Sequence, residues 1–310
     1  MIRRPPRSTQ SRSSAASDVY KRQVKNRGDL IVRRPSDLKK KYGVEVYINH
    51  EVISIKRPAR IITVRDLSDG SVFETNYDKL IIATGAYTYI PPVPGLDAPN
   101  VFQMRTIPDM DAIDNFLRRK SPRKVLVLGG GYIGLEAADV MHKLGLEVTV
   151  VEMLPHVMSS MDPDMAVILE EKIKEIGIRL VTGYPVRQVK TSAGGEAVTV
   201  VTGSGEEIDT DMIISCAGVR PDLKLAEEAG LEIGAYALVV DDYMRTTDPN
   251  IYAAGDVVQV KNLITGKPTW SPLAGPANLQ GKIAGANAAG DNLKYRGVLR
   301  TSIVQFNNLT

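Results

Sequence analysis

Apolar and polar residues alternate along the chain with two periods, one of about two residues and one of about 3.6 residues. The shorter period and continuous apolar runs predict strands at 44–48, 51–55, 61–66, 79–83, 124–128, 146–151, 186–190, 197–202, 212–216, 238–240 and 251–254. The longer period predicts helices at 109–120, 132–143, 162–176 and about 276–289. The order strand, helix, strand, helix over 124–176 indicates a parallel sheet, because parallel neighbours need a crossover connection.

The composition narrows the class of protein. The 310 residues suit two domains of roughly 100 to 200 residues better than one. No run reaches the roughly 18 consecutive apolar residues of a membrane span, so we predict no membrane partner. Cys216 is the only cysteine, which excludes a disulfide framework and a cysteine-rich metal cluster and favours a reducing, cytoplasmic location. The three histidines show no metal-ligand spacing, and no metal site is predicted.

The net charge of +3 is unevenly distributed along the chain. Residues 1–23 hold six Arg and Lys against one Asp, so the remainder carries a net charge of −2 and offers no basic groove for nucleic acid. Residues 1–23 are also rich in Ser and lack apolar periodicity, and we expect a non-native or disordered leader that resembles a translated sequencing adaptor. An organelle transit peptide is the alternative, but adjacent Pro5 and Pro6 would break its amphipathic helix.

A glycine-rich turn follows the predicted strand 124–128 and opens a helix; its residues are Gly129, Gly130, Gly131, Tyr132, Ile133 and Gly134. In this context Gly129 permits the tight turn, Gly131 lets the backbone approach a pyrophosphate, and Gly134 lets the helix pack closely on the sheet. The helix N-terminus at Tyr132 directs N–H groups at the phosphates. The pattern predicts a dinucleotide site, whereas a tight packing turn alone would leave the rest of the motif unexplained.

Glu152 ends the next predicted strand, about 20 residues beyond the first glycine. A carboxylate at this position accepts hydrogen bonds from the adenosine ribose hydroxyls. It would repel a 2′-phosphate, and the residues that follow, 153–156, include no Arg to offset this repulsion. We therefore predict NADH as cofactor, with NADPH the less suitable alternative.

Four further motifs occur in a fixed order: Leu80-Ile81-Ile82-Ala83-Thr84-Gly85, Cys216-Ala217-Gly218-Val219-Arg220-Pro221, the segment 246–256 ending Ala254-Gly255-Asp256, and Pro272-Leu273-Ala274-Gly275-Pro276-Ala277-Asn278. With them, residues 24 to about 297 resemble the flavin-dependent pyridine nucleotide-disulfide oxidoreductases. The resemblance is strongest to the branch of coenzyme A-disulfide reductases and NADH oxidases.

This resemblance implies a second cofactor, FAD. It implies that Asp256, after Gly255, hydrogen-bonds the ribityl chain, that Val52 offers backbone to the adenine end, and that Thr84 and Gly85 let the chain pass close to the cofactor. The helix starting near Pro276 would direct its N-terminal dipole at the flavin. The same motifs assign cofactor contacts to Gly218 and Ala274.

The resemblance also implies features that this sequence does not show. The family has an N-terminal G-x-G-x-x-G for FAD and a redox-active cysteine after it, and neither is found here. Cys216 lies in an apolar run, where burial would raise the pKa of its thiol and leave it inert. We therefore expect no catalytic residue in this chain, an incomplete FAD domain, and loss of the interface domain through which the parent forms a homodimer.

Together these inferences predict an α/β fold of two Rossmann-like nucleotide-binding domains in three layers, the FAD domain being incomplete. The domains are predicted as a leader at 1–23, a first FAD part at 24–105, an NAD(P)-binding domain at 106–235, a second FAD part at 236–297 and the start of a C-terminal dimerisation domain at 298–310.

The function implied for the parent is hydride transfer from NADH to FAD and then, through the cysteine, to a small-molecule acceptor. That acceptor would be a disulfide such as coenzyme A disulfide, or oxygen or peroxide. The chain as written is expected to be inactive. The alternatives are a flavin-dependent reductase of rubredoxin or ferredoxin type, and a non-catalytic dinucleotide-binding fragment.

Overall fold

A computed structural model describes residues 27–31, 33–303 and 305–309; the predicted leader lies outside them. The strands are β1 His50–Lys56, β2 Ile61–Asp66, β3 Val72–Asn76, β4 Leu80–Ile82, β5 Ala86–Thr88, β6 Val101–Gln103, β7 Lys124–Leu128, β8 Glu147–Glu152, β9 Arg179–Thr182, β10 Val186–Thr191, β11 Ala197–Thr202, β12 Glu207–Asp209, β13 Met212–Ser215, β14 Val219–Pro221, β15 Ile251–Ala253, β16 Gln259–Lys261 and β17 Pro268–Trp270. The α-helices are α1 Pro35–Tyr42, α2 Ile107–Lys120, α3 Tyr132–Lys143, α4 Pro163–Glu175, α5 Lys224–Glu228 and α6 Ala274–Ala288.

The described chain divides into two compact units, one inserted into the other along the sequence. The split unit comprises residues 31–87 and 220–302, and the inserted unit comprises residues 88–219 together with 27–30 and the end of the chain from 303. The boundaries predicted from the sequence are 105/106 and 235/236. The difference at the first boundary arises because β6 pairs with β13 and is thereby an edge strand of the inserted unit.

The inserted unit is built on a parallel five-stranded sheet of order β6-β13-β7-β8-β9. Side chains alternate between its two faces, as they do in any strand. Val125 and Val127 pack with the helix residues Leu135 and Ile173, whereas Leu126 packs with the antiparallel sheet β10-β11-β12. The result is the predicted three-layer arrangement, and the predicted α/β fold class is confirmed.

The split unit contains the antiparallel sheet β1-β2-β3 and the parallel pair β4-β15. In that pair Leu80 lies opposite Ile251 and Ile82 opposite Ala253. The core of the split unit includes Ile82, Leu238, Met244, Ile251, Ala253 and Ile283. The carboxyl ends of β4 and β15 therefore meet at one edge, and the motifs that follow them are placed there.

Two predicted strands differ from the structure. Residues 44–48 form no strand, and Tyr47 and Ile48 are exposed. The predicted strand 238–240 is reduced to single bridges from Leu238 to Ile233 and Val258. Phe306 is buried in the core of the inserted unit.

No helix among the described residues is long and apolar enough to cross a membrane.

Candidate functional site

The glycine-rich turn joins β7 to α3 at the carboxyl edge of the parallel sheet. Gly129 has a φ of +109°, and a Cβ there would lie 2.4 Å from the carbonyl oxygen of Cys216. A Cβ at Gly134 would lie 1.9 Å from the carbonyl oxygen of Gly129. Both positions therefore require glycine, the first for conformation and space and the second for space alone. The helix consequently begins in close contact with the strand that precedes it.

Gly131 differs from these two glycines because the space beside it is open. It is the N-cap of α3, with a φ of −82°, and no atom lies within 4 Å of where its Cβ would be. Because the N-cap residue is a glycine, it provides no side chain to cap α3. N–H groups at a helix N-terminus can donate hydrogen bonds to the oxygens of a pyrophosphate that approaches through open space, so the geometry of the turn is compatible with the predicted dinucleotide.

Glu152 is held beside this turn at the end of β8. Its Oε2 accepts a hydrogen bond from the Gly130 N–H at 2.6 Å, and its Oε1 accepts one from the Leu154 N–H at 2.8 Å. The residue is 9% exposed. Because each carboxylate oxygen has two lone pairs, one per oxygen remains for a ribose hydroxyl. The sequence did not anticipate the bond to Gly130, which fixes the carboxylate relative to the turn.

The end of β13 lies on the other side of the turn. Gly218 has a φ of +104°, and its carbonyl accepts a hydrogen bond from the Tyr89 N–H at 3.0 Å. The N–H of Cys216 donates to the carbonyl of Leu128 at 2.7 Å. The structure thus brings Gly218 to the same sheet edge as the turn and Glu152.

Cys216 is the only cysteine in the sequence and is partly buried. Burial of the thiol raises its pKa to about 12. A thiol with that pKa is almost entirely protonated at neutral pH and is a poor nucleophile. The position therefore has the properties of a core thiol, as the sequence indicated.

Four of the residues predicted to contact FAD occupy one edge of the split unit. Thr84 and Gly85 follow β4, and Gly255 and Asp256 follow its parallel neighbour β15. The Thr84 hydroxyl donates a hydrogen bond to the carbonyl of Asp222 at 2.8 Å. The N–H of Asp222 in turn donates to the carbonyl of Gly85 at 2.9 Å. These bonds fix the backbone where the first half of the unit meets the second.

Ala274 lies at the same edge, as the first residue of α6. This helix begins two residues earlier than predicted, with Leu273 as N-cap. Pro276 is tolerated within the first turn because the N–H groups there have no partner inside the helix. A Cβ on Gly255 would lie 3.9 Å from the Cβ of Ala277, so the Gly255-Asp256 turn packs against the helix N-terminus. Val52, by contrast, lies in a different sheet, opposite Val64.

Two residues that the sequence analysis missed hold the Gly255-Asp256 turn in place. Gln280 is 2% exposed, and its Oε1 accepts a hydrogen bond from the Gly255 N–H at 2.8 Å. The indole N–H of Trp270 donates to the carbonyl of Asp256 at 2.7 Å. Two features of the sequence could have indicated these residues. Gln280 is a glutamine within a predicted helix rich in small and apolar residues, and Trp270 is the only tryptophan of the chain.

Comparison with known proteins agrees with this arrangement. The family model for pyridine nucleotide-disulphide oxidoreductases matches residues 7–289, and so includes part of the predicted leader. A protein named NADH oxidase from Methanocaldococcus jannaschii is 40% identical over 287 residues, which are 92% of this chain and 63% of that protein. The chain thus spans somewhat less than two thirds of this relative's length.

Solved structures show the same likeness. Reduced CoADR-RHD of Bacillus anthracis superimposes with a TM-score of 0.91 at 32% identity, over 96% of this chain and 53% of that one. An engineered water-forming NADPH oxidase bound to NADPH, made by five substitutions in the Lactobacillus brevis NADH oxidase, has a TM-score of 0.88 at 29% identity, over 94% of this chain and 64% of that one. The motif-based resemblance is confirmed: the chain belongs to the pyridine nucleotide-disulphide oxidoreductase family.

Proposed function

We propose that this chain carries the NADH-binding part, and a portion of the FAD-binding part, of a flavin-dependent NADH oxidoreductase. The observation that carries the proposal is the open backbone at Gly131, with the Glu152 carboxylate hydrogen-bonded to the neighbouring Gly130. Together they supply the two things a dinucleotide needs, N–H donors for its phosphates and an acceptor for its adenosine ribose.

The preference for NADH over NADPH follows from Glu152. Its fixed carboxylate would repel a 2′-phosphate, and exposed Met153 and Leu154 follow it without a cation. The engineered NADPH oxidase supports this view, because its substitutions include a glycine and an aspartate 18 residues apart, the spacing that separates Gly134 from Glu152. In that protein the aspartate became alanine, and the residue after it became arginine.

The residues around Gly255 fit the flavin half of the proposal. The Asp256 carboxylate follows a fixed turn and can accept a hydrogen bond from a hydroxyl of the ribityl chain. The N-terminus of α6 packs beside this turn and would stabilise negative charge on a ring placed there. When both cofactors are bound, they supply the redox chemistry, in which a hydride passes from nicotinamide to flavin. Gln280 and Trp270 keep the turn in the conformation that this binding needs.

The final acceptor that we propose is a disulfide such as coenzyme A disulfide, or oxygen or peroxide, in line with the names of the relatives. Reduction of a rubredoxin- or ferredoxin-type carrier is the alternative. Cys216 does not take part, because its buried thiol remains protonated at neutral pH. The same property favours a second candidate function for the chain by itself, which is dinucleotide binding without turnover.

Titration of the purified full chain tests these proposals. We expect NADH to bind at least tenfold more tightly than NADPH, as measured by nicotinamide fluorescence. After incubation with FAD and removal of free cofactor, a flavin absorbance band and NADH-dependent reduction of ferricyanide would support the oxidoreductase. NADH binding without flavin uptake would support the second candidate. If NADH does not bind, both are wrong.

A further inference from the structure

Ser215 places a buried hydroxyl beside the proposed NADH site. Ser215 ends β13 and is 2% exposed, and its Oγ has no hydrogen-bond partner among the described residues. A buried hydroxyl without a partner costs free energy, because it gives up its hydrogen bonds to water without replacing them. Such groups in a fold are few and call for an explanation.

Ser215 lines a small recess that lies entirely within the inserted unit. The other walls are formed by Thr88, Met104, Arg105, Ile133 and the loop residues that follow Ser215. The recess has a volume of about 10 Å³, which is room for a single group the size of water. A hydroxyl or an amide fits this space, and a phosphate does not.

The recess adjoins the glycine-rich turn. Ile133, one of its walls, belongs to the first turn of α3. The carbonyl of Cys216, next to Ser215, lies so close to Gly129 that a Cβ on the glycine would be 2.4 Å away. A ligand whose phosphates occupy the turn is therefore within reach of the recess.

The strand order decides which part of a dinucleotide would reach it. In the order β6-β13-β7-β8-β9, the turn follows β7, Glu152 ends β8 on one side and Ser215 ends β13 on the other. With the adenosine ribose on Glu152 and the pyrophosphate at the turn, the second nucleoside extends over β13. In NADH this is the nicotinamide nucleoside, which carries ribose hydroxyls and a carboxamide.

We propose that Ser215 is a recognition residue for the nicotinamide nucleoside, its hydroxyl hydrogen-bonding a neutral polar group of the ligand that enters the recess. This proposal rests on the proposed NADH binding. ADP provides the matched ligand, because it shares the adenosine and both phosphates with NADH but lacks the second nucleoside.

The test is to measure the affinities of the full chain for NADH and ADP by calorimetry, in wild type, Ser215→Ala and Ser215→Val. Loss of one hydrogen bond predicts that Ser215→Ala weakens NADH binding about three- to tenfold and leaves ADP binding within a factor of two. Ser215→Val also fills the recess, so it is expected to weaken NADH binding further without affecting ADP. The melting temperature of Ser215→Ala should equal or exceed that of wild type, because the substitution removes an unpaired buried hydroxyl.

Ser271→Ala is the matched control, since Ser271 Oγ is the other buried serine hydroxyl without a partner among the described residues and lies in the split unit. It should change neither affinity. Unchanged NADH affinity in both Ser215 variants, or equal weakening of NADH and ADP, would overturn the role of Ser215 and leave the proposed function standing. A wild-type chain that binds neither ligand would contradict the proposed function and this inference together.

Discussion

At the scale of single residues, substitutions at two glycines of the turn should distinguish effects on NADH binding from effects on folding. Gly131→Ala places a methyl group in open space at an allowed φ, so the stability of the fold should be unchanged. The same methyl group lies where a pyrophosphate would approach, and we expect NADH affinity to fall at least tenfold. Thermal unfolding and NADH fluorescence measured on the same sample check both expectations.

Gly134→Ala is the matched comparison, because the added methyl group would meet the carbonyl oxygen of Gly129 at 1.9 Å. Helix α3 must move away from β7, and we expect a loss of roughly 1–3 kcal/mol of unfolding free energy, as in other overpacked cores. Equal stability in the two variants would show that the turn is less closely packed than described.

The thiol of Cys216 gives a prediction that depends on pH. Its pKa is raised by burial to about 12, whereas an ordinary thiol has a pKa of about 8.5. At pH 8 we expect native protein to react with Ellman's reagent at least about a hundredfold more slowly than protein unfolded in guanidinium chloride. Between pH 9 and 12 the unfolded thiol ionises and the folded one does not, so this residue makes stability fall as pH rises. Rapid reaction of native protein at pH 8 would contradict this assignment.

At the scale of elements, Asn100 links the entry of β6 to the strands beside it. Its side-chain amide donates to the carbonyls of Ala197 and Asp211, and its Oδ1 accepts from the N–H of Ala197. The residue is 2% exposed, so Asn100→Ala leaves buried backbone groups without partners. We expect a loss of about 2–3 kcal/mol in urea unfolding. Asn115→Ala, on the exposed side of α2, should cost less than about 0.5 kcal/mol.

The sequence predicted central elements well and edge elements poorly. The runs that became β7 and β8 are apolar on both faces, because each strand is covered on both sides and flanked by neighbours. Edge strands β6 and β9 have three and four residues and a single neighbour each, which leaves little periodicity to detect. The alternation at 44–48 is strand-like, but a strand also needs a neighbouring strand to pair with. In the described structure no strand pairs with these residues.

The candidate site divides in the same way. The glycines of the turn and Glu152 could be predicted because their roles depend on local backbone and fixed spacing. Gln280 and Ser215 could not, because their roles depend on contacts with residues distant in sequence, such as the bond from the Gly255 N–H to Gln280.

At the scale of the whole molecule, the inserted unit should function by itself. Its ends are hydrogen-bonded to each other, from the Tyr89 N–H to the Gly218 carbonyl, and its parallel sheet is complete between them. We expect a fragment of residues 88–219 to fold cooperatively and to bind NADH, with a lower melting temperature than the full chain because it lacks the buried Phe306, as measured by circular dichroism and fluorescence. A fragment of residues 106–235, which lacks β6, is the comparison and should be less stable. If the two melt at the same temperature, the boundary at 87/88 is wrong.

The insertion also has a consequence for the order of folding. The split unit depends on β4 meeting β15, and bonded residues at these strands, such as Lys79 and Asn250, are 171 positions apart. If residues 88–219 fold first, the bond between Tyr89 and Gly218 shortens the loop that must close to roughly 40 residues, and the entropic cost of closure falls by about 1 kcal/mol. In that case the inserted unit acts as an internal template for folding, and ligands that stabilise it should also speed assembly of the split unit.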